Sequence, residues 1–252
     1  MDYEEAVEKA PPGWRHFGVD DIARLPDAVR KHEMARVPAG EVGDRLVRAL
    51  FWTLVYHLEP EKWDELTRFE PIHPDLIASL PDSVDVAVDI GAGSGRLTQH
   101  LVRRATRVIA IEPSDGLRAM LTRRLPQVTA IAGWAESLPL ESAGSQLTMA
   151  CGAFGPDEVV LAEMRRVTAR GGWIALISPE SPDWFEEQGW RHITAPALPA
   201  PDHPRHHRRG RHQPEQAHDE HHDGDNDFDD RKAPFALHHR ITFPMVLTRS
   251  ES

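Results

Sequence analysis

Apolar positions recur at helical spacing in the first third of the chain and in short β-branched runs through its middle. Between Gly43 and Leu58, Leu46, Val47, Leu50, Phe51, Leu54, Val55 and Leu58 return every three or four residues, which predicts one amphipathic helix. Pro60 ahead of Glu61 to Phe69 predicts a second, because proline suits a first helical position. Asp20 to Arg36 holds one or two short helices, and Asp75 to Leu80 another. At Val84 the pattern changes. Val84, Val86, Val88 and Ile90 alternate with small or acidic residues, the mark of a buried parallel strand. Helical spacing resumes over Leu97 to Arg104. Strands follow at Arg107–Glu112, Val128–Ala132 and Gln146–Ala150. Helices are predicted at Ser114–Leu125, with Ser114 as cap, and at Pro156–Thr168. Gly171-Gly172 ends the latter and opens a strand at Trp173–Ser178. A short helix at Trp184–Gln188, a strand at Trp190–Thr194 and a last strand at Ile241–Thr248 complete the series.

Strands alternating with helices predict an α/β fold, a parallel sheet covered on both faces. Residues 1–83 form a helical N-terminal extension, or cap, packed over one end of it, and residues 84–198 the core. Residues 235–252 return as its final strand. Between them, 199–234 carries His203, His206, His207, His212, His218, His221 and His222, with basic and then acidic blocks and almost no aliphatic side chains. Such a stretch lacks the apolar surface to offset its ordering entropy, so a disordered loop is expected. Its histidine spacings fit no structural zinc pattern, and no metal site is assigned to it.

The formal net charge of −11 argues against nucleic acid as a partner, since a phosphate backbone calls for a basic surface. The single cysteine, Cys151, excludes an internal disulfide and fits a reducing compartment. No run approaches membrane-spanning length, and no leader-like segment is visible. These features predict a soluble cytoplasmic protein, monomer or homodimer, that does not engage a membrane.

The candidate chemistry lies in VDIGAGSGRL, Val88 to Leu97. Gly91, Gly93 and Gly95 come at every second position, where the lack of a Cβ lets a ligand approach the backbone. A helix start just after them would add N–H groups and a positive dipole end. Dinucleotide enzymes space this turn G-x-G-x-x-G; here the third glycine arrives one residue early, and Asp89 stands two positions before the first. A carboxylate there opposes a pyrophosphate but suits an ammonium group, such as that of S-adenosylmethionine. Glu112 ends the next strand, where an acid can accept hydrogen bonds from both ribose hydroxyls. Trp134, Ala135 and Glu136 follow the third strand, where an aromatic could stack on adenine beside an acid that receives its amino group. Trp134 as plain core is the alternative.

With VDIGAGSGRLT, IEPS at Ile111 to Ser114, GWAESLPL at Gly133 to Leu140 and LAEMRRVTARGGWIALI at Leu161 to Ile177, the sequence resembles the class I S-adenosylmethionine-dependent methyltransferases, especially the small-molecule subgroup. The resemblance covers about Pro74 to Ser178. It implies a Rossmann-like, doubly wound, seven-stranded sheet with its last strand antiparallel. It implies S-adenosyl-L-methionine as cofactor and a small organic substrate methylated on oxygen, nitrogen or carbon, with secondary metabolism as a setting. It places Asp89, Gly91, Ala92, Gly93 and Gly95 at the methionine end, Glu112 with Pro113 and Ser114 at the ribose, Trp134 to Glu136 near adenine, and Cys151 beside the cofactor. The CGAFGPDE stretch, Cys151 to Glu158, lacks the aromatic or histidine pair that relatives often carry, so base candidates come from the cap: His57, and His73 ahead of the sheet. Either could instead satisfy a local hydrogen bond. Trp52, Tyr56 and Trp63, with Phe154 after the fourth strand, are candidates for the acceptor pocket. A non-catalytic cofactor-binding protein, acting as sensor or partner subunit, is the competing reading. A nicotinamide-dependent oxidoreductase is a third.

Overall fold

A computed structural model describes residues 17–68, 71–196 and 243–250. Among the described residues, six short helices precede the sheet: α1 (Val19–Ile22), α2 (Asp27–Met34), α3 (Asp44–Ala49), α4 (Phe51–Leu58), α5 (Pro60–Thr67) and α6 (Pro74–Ala78). The remainder runs β1 (Val84–Ile90), α7 (Thr98–Leu101), β2 (Ala105–Ile111), α8 (Asp115–Arg124), β3 (Thr129–Ile131), β4 (Ser145–Cys151), α9 (Glu158–Val167), β5 (Thr168–Ile177), α10 (Pro182–Glu187), β6 (Arg191–Ala195) and β7 (Phe243–Arg249).

The seven strands lie in the order β3-β2-β1-β4-β5-β7-β6. Pairings from β3 through β5 are parallel, and β7 runs antiparallel to both β5 and β6. This is the Rossmann-like sheet anticipated, with the chain's last strand reversed. Both faces of the sheet are covered. Ala87, Leu147, Met149, Ala175 and Leu247 pack on one face with Leu101 and Leu121. Val88, Ile90, Ile174, Leu176 and Val246 pack on the other with Leu161, Met164 and Phe185. The side-chain period of two thus divides each strand between two cores.

The cap has its own core, built from Phe17, Ile22, Leu25, Val29, Val47, Leu50, Phe51, Leu54 and Val55. One expectation fails here. The amphipathic run from Gly43 to Leu58 is two helices, broken at Leu50, whose backbone (φ −98°, ψ 8°) leaves the helical region. Leu50 is buried, and the break lets Val47 and Leu50 meet the same cluster as Phe51, Leu54 and Val55. Helix α6 also departs from expectation. Ile72, Leu76, Ile77 and Leu80 join the sheet's core, so this helix belongs to the body and not to the covering over the crevice.

Two further boundaries shift. The helix expected over Leu97–Arg104 shrinks to the four residues of α7, because β2 already begins at Ala105. Strand β5 begins at Thr168, so Gly171-Gly172 interrupts a strand instead of opening one. The register against β4 slips between Ser145 and Leu147, and a Cβ on Gly172 would come within 2.9 Å of Ala169 O. The pair therefore forms a bulge that only glycine fits. Helix α8 matches expectation, with Ser114 Oγ accepting from Leu117 N–H at 3.3 Å. The histidine-rich stretch 199–234, and Ile241 and Thr242 of the predicted last strand, lie outside the described residues.

Candidate active site

The carboxyl ends of β1, β2, β3 and β4 open onto one crevice, roofed by the cap. Open α/β sheets bind ligands at this end because loops diverge there on either side of the first strand. The crevice has a small compartment of about 30 Å³ around the glycine turn and a larger one of about 270 Å³. Trp63, Gly91, Gly93 and Cys151 line both, so the two adjoin.

Asp89 closes β1 and is 1 % exposed. Its Oδ2 accepts from Thr98 Oγ1 at 2.6 Å, while Oδ1 is buried without a partner. Burial dominates the electrostatics and raises the carboxyl to about 7; Glu112 adds to the rise, and Thr98 and Arg96 oppose it. An isolated carboxylate held out of water keeps its charge only when a cation or donor arrives. Such an oxygen facing a cleft is a place for a positively charged ligand group.

The glycine turn holds Gly91, Gly93 and Gly95 at φ +66°, +56° and +102°. These are left-handed conformations that other residues adopt only with strain. A Cβ on Gly91 would stand 3.1 Å from Ala153 Cβ, across the crevice floor. Gly95 faces Leu121 and Leu125 and lines neither compartment; its role is packing. Four of the turn's amides are committed internally. Gly91 and Ala92 donate to Ile111 O at 2.9 and 3.1 Å, Gly93 to Glu112 Oε2 at 2.8 Å, and Gly95 to Ala92 O at 3.0 Å.

Glu112, just past β2, is 5 % exposed and lines the larger compartment. Ser114 N–H donates to its Oε1 at 2.8 Å. Burial raises its pKa, against the pull of the Ser114 and Gly93 amides and of Arg118. The two amide bonds fix the carboxylate's orientation and leave further lone pairs for a ligand's hydroxyls. Pro113 lines the compartment beside it. Ser114 does not; its Oγ donates to Tyr56 O at 2.7 Å, which ties α4 of the cap to the core.

Trp134, Ala135 and Glu136 line the larger compartment too, but the cap already engages two of them. The ring of His32, on α2, lies 4.5 Å from that of Trp134 at 31°. Arg36 pairs with Glu136 and comes within 4.0 Å of Asp157, and His32 Nε2 lies 3.8 Å from Glu136. His32, Glu33, Arg36 and Asp157 are lining residues that the sequence reasoning missed. His32 lies on α2 and Arg36 in the turn just after it, and a single sequence gives no sign of where this end of the helix points. Glu33 is held in turn: its Oε1 lies 2.9 Å from His32 Nδ1, and its Oε2 accepts from Thr53 at 3.2 Å.

The other candidates separate. Tyr56 and Phe154 line the larger compartment, and Cys151 lines both, with Arg96 donating to its Sγ at 3.4 Å. Trp52 lines neither; it sits in the cap core, stacked on Tyr56 at 5.9 Å and edge-on to Trp63 at 5.5 Å. His57 and His73 also line neither. Burial lowers the pKa of His57, whose charged neighbours are Glu33, Asp115 and Arg118. His73 caps α6, its Nδ1 accepting from Asp75 N–H at 3.1 Å, which is the local role weighed against catalysis. Among the described histidines, the one that reaches the crevice is His32.

A buried clamp holds the cap in place. Asp64 on α5 is 3 % exposed. It receives Arg124 Nη2 at 2.6 Å, Ser94 Oγ at 2.5 Å and Arg68 at 3.2 Å. Arg124 above all, helped by Ser94 and Arg68, lowers its pKa to about 2 against the opposing effect of burial. One carboxylate thereby joins the cap, the glycine turn and the end of α8.

Strand order and crevice together define a Rossmann-like α/β fold with its ligand cleft at the strands' carboxyl ends. Residues 87–172 match the family model described as a methyltransferase domain. The chain is similar to uncharacterized methyltransferases of Mycobacterium bovis and Mycobacterium tuberculosis, 32 % identical over 115 residues, which is 44 % of this chain and 47 % of each relative. The match thus spans about half the length of those relatives. Among solved structures, an S-adenosylmethionine-dependent methyltransferase from Mesorhizobium loti overlays with a TM-score of 0.39 at 20 % identity, covering 44 % of this chain and 54 % of that one. The domain match and the curated relatives support a methyltransferase domain within this chain. No helix among the described residues is long and apolar enough to cross a membrane.

Proposed function

We propose that this chain transfers the methyl group of S-adenosylmethionine to a small organic acceptor. One observation carries the reading: a fully buried carboxylate, Asp89, keeps an oxygen without a donor at the edge of a glycine-lined cleft, one strand away from a second buried carboxylate, Glu112. A nucleoside with a cationic tail fits that pair. Asp89 takes its ammonium, Glu112 its ribose hydroxyls, and the Trp134–Glu136 wall its base.

When bound, the cofactor supplies a methyl on a sulfonium sulfur, already activated for in-line displacement. The chain's own task is alignment and exclusion of water. Tyr56 and Trp63 pack edge to face at 4.9 Å and form the roof. Their faces suit a cation through the ring quadrupole. Phe154 and Val160 extend the apolar wall. An acceptor bearing an acidic proton meets His32, with Glu33 orienting the ring through Nδ1. A covered cavity of this volume and the formal charge of −11 favour a small acceptor over a nucleic acid.

Titration calorimetry with S-adenosylmethionine and with its demethylated product tests the reading. Binding by the wild type and a large loss in Asp89→Asn are expected. Heat-silent titrations at millimolar ligand, or equal affinity in the variant, would overturn it.

A further inference from the structure

The wall assigned above to the nucleoside's base is already in use by the cap. Trp134 packs against the cap core, and the ring of His32 lies over it at 4.5 Å and 31°. Arg36 Nη1 donates to Glu136 Oε1, and its Nη2 lies 4.0 Å from Asp157 Oδ2. His32 Nε2 stands 3.8 Å from Glu136 Oε2. Asp157 Oδ1 caps α9 through the amides of Val159 and Val160, which leaves Oδ2 to face Arg36. Glu136 follows β3 and Asp157 follows β4, so the end of α2 ties down two of the loops that line the larger compartment.

What sits on that wall has the chemistry of the base itself. A purine brings a flat aromatic ring to stack and an exocyclic amino group to donate. His32 supplies a flat heteroaromatic ring to Trp134, and Arg36 supplies N–H donors to Glu136. The face of Trp134 under His32 cannot stack on a second ring while His32 lies there. Helix α2 is lightly anchored: it buries one side chain, Val29. The Arg36–Glu136 pair is half exposed on the arginine side, and such pairs are weak enough for a ligand to displace.

We infer that the end of α2 is a self-inhibitory latch. His32 and Arg36 occupy the place on Trp134 and Glu136 that the nucleoside's base takes, and the base enters by displacing them. The inference rests on the nucleoside reading above and adds a conformational step to it. The same displacement turns the His32 imidazole off Trp134 and makes it available to the acceptor. A ligand that binds only the released form has its apparent affinity lowered by the fraction of molecules that are released. Loosening the latch should therefore tighten binding, the opposite of what loss of a ligand contact does.

Calorimetry with 5′-methylthioadenosine on the full chain tests this. The probe is uncharged, so removing an arginine does not alter its long-range attraction. Arg36→Ala should tighten its binding about 3- to 5-fold, and Arg36→Ala combined with His32→Ala about 10-fold. Saturating probe should quicken hydrogen exchange over residues 31–37 of the wild type, where the amides of Ala35, Arg36 and Val37 bond to Lys31 O and Glu33 O. Unchanged exchange in β1, β4 and β5 reports that the variants are folded. Weaker or unchanged binding by the variants, or slower exchange over residues 31–37 in the wild type, would overturn the latch and leave the nucleoside reading standing. Failure of the wild type and of both variants to bind would overturn that reading and the latch with it.

Discussion

Replacing Asp89 with asparagine should make the protein more stable, and by an amount that grows with pH. The carboxyl moves from 3.8 to about 7 on folding, chiefly through burial. Between those values the folded protein holds a proton that the unfolded chain has released. Wild-type stability therefore falls as pH rises through this window and levels off above about 7. A shift of about three units corresponds to roughly 4 kcal/mol at about 1.4 kcal/mol per unit, an upper figure for a group wholly out of water. At about pH 5 only a third or so of that cost is present, so the advantage of the variant should widen by about 3 kcal/mol between about pH 5 and pH 8. The amide keeps the shape and one hydrogen bond to Thr98 while removing the charge. Urea unfolding of both proteins at the two pH values reads the difference directly. Saturating S-adenosylhomocysteine should shrink the gap at the higher pH, because its ammonium neutralises Asp89 in the wild type. A gap that stays constant with pH to within about 0.5 kcal/mol would refute the claim that Asp89 is an uncompensated buried acid.

Three further outcomes are expected. Asp64→Ala removes the common acceptor of Arg124, Ser94 and Arg68 and should cost about 2–3 kcal/mol in denaturant unfolding, since Arg124 is half exposed and partly screened. The pKa of about 2 sets the sign for the wild type: this contribution is present above about pH 4 and lost as pH falls toward 2. Gly116→Ala puts a Cβ 2.6 Å from Pro60 Cγ, where α8 meets the cap, and should destabilise by about 1–3 kcal/mol through overpacking. Arg36→Ala should leave global stability within about 1 kcal/mol, because the side chain is half exposed. Hydrogen exchange should nevertheless quicken across residues 27–34 relative to the sheet, as α2 loses its ties to Glu136 and Asp157.

The strand ends were legible because short β-branched and apolar runs stop there, and Asp89 and Glu112 stand out as acids at their termini. The helix caps were legible for a local reason, since Ser114 bonds an amide three residues ahead. What could not be read was long-range. Whether residues 43–58 form one helix or two depends on the cluster around Leu50, and nothing in the spacing of apolar residues announces the break. The glycine turn suggested backbone donors awaiting a ligand, but Ile111 O and Glu112 lie across from it in the folded chain and take those of Gly91, Ala92 and Gly93. In the sequence His57 and His73 stand near aromatics or a turn, which is all that marks them. The histidine that lines the cavity, His32, gets there through the orientation of α2, which no periodicity encodes.

Two aspartates touch the same stretch of chain, Asp64 at Ser94 and Asp89 at Thr98, and their environments put them about five pH units apart, at about 2 for Asp64 and about 7 for Asp89. Moderate acidity therefore discharges the one that faces the cleft long before it reaches the one that rivets the roof. In a weakly acidic bath the molecule would be disarmed without being dismantled, and a return to neutrality would rearm it with no refolding required.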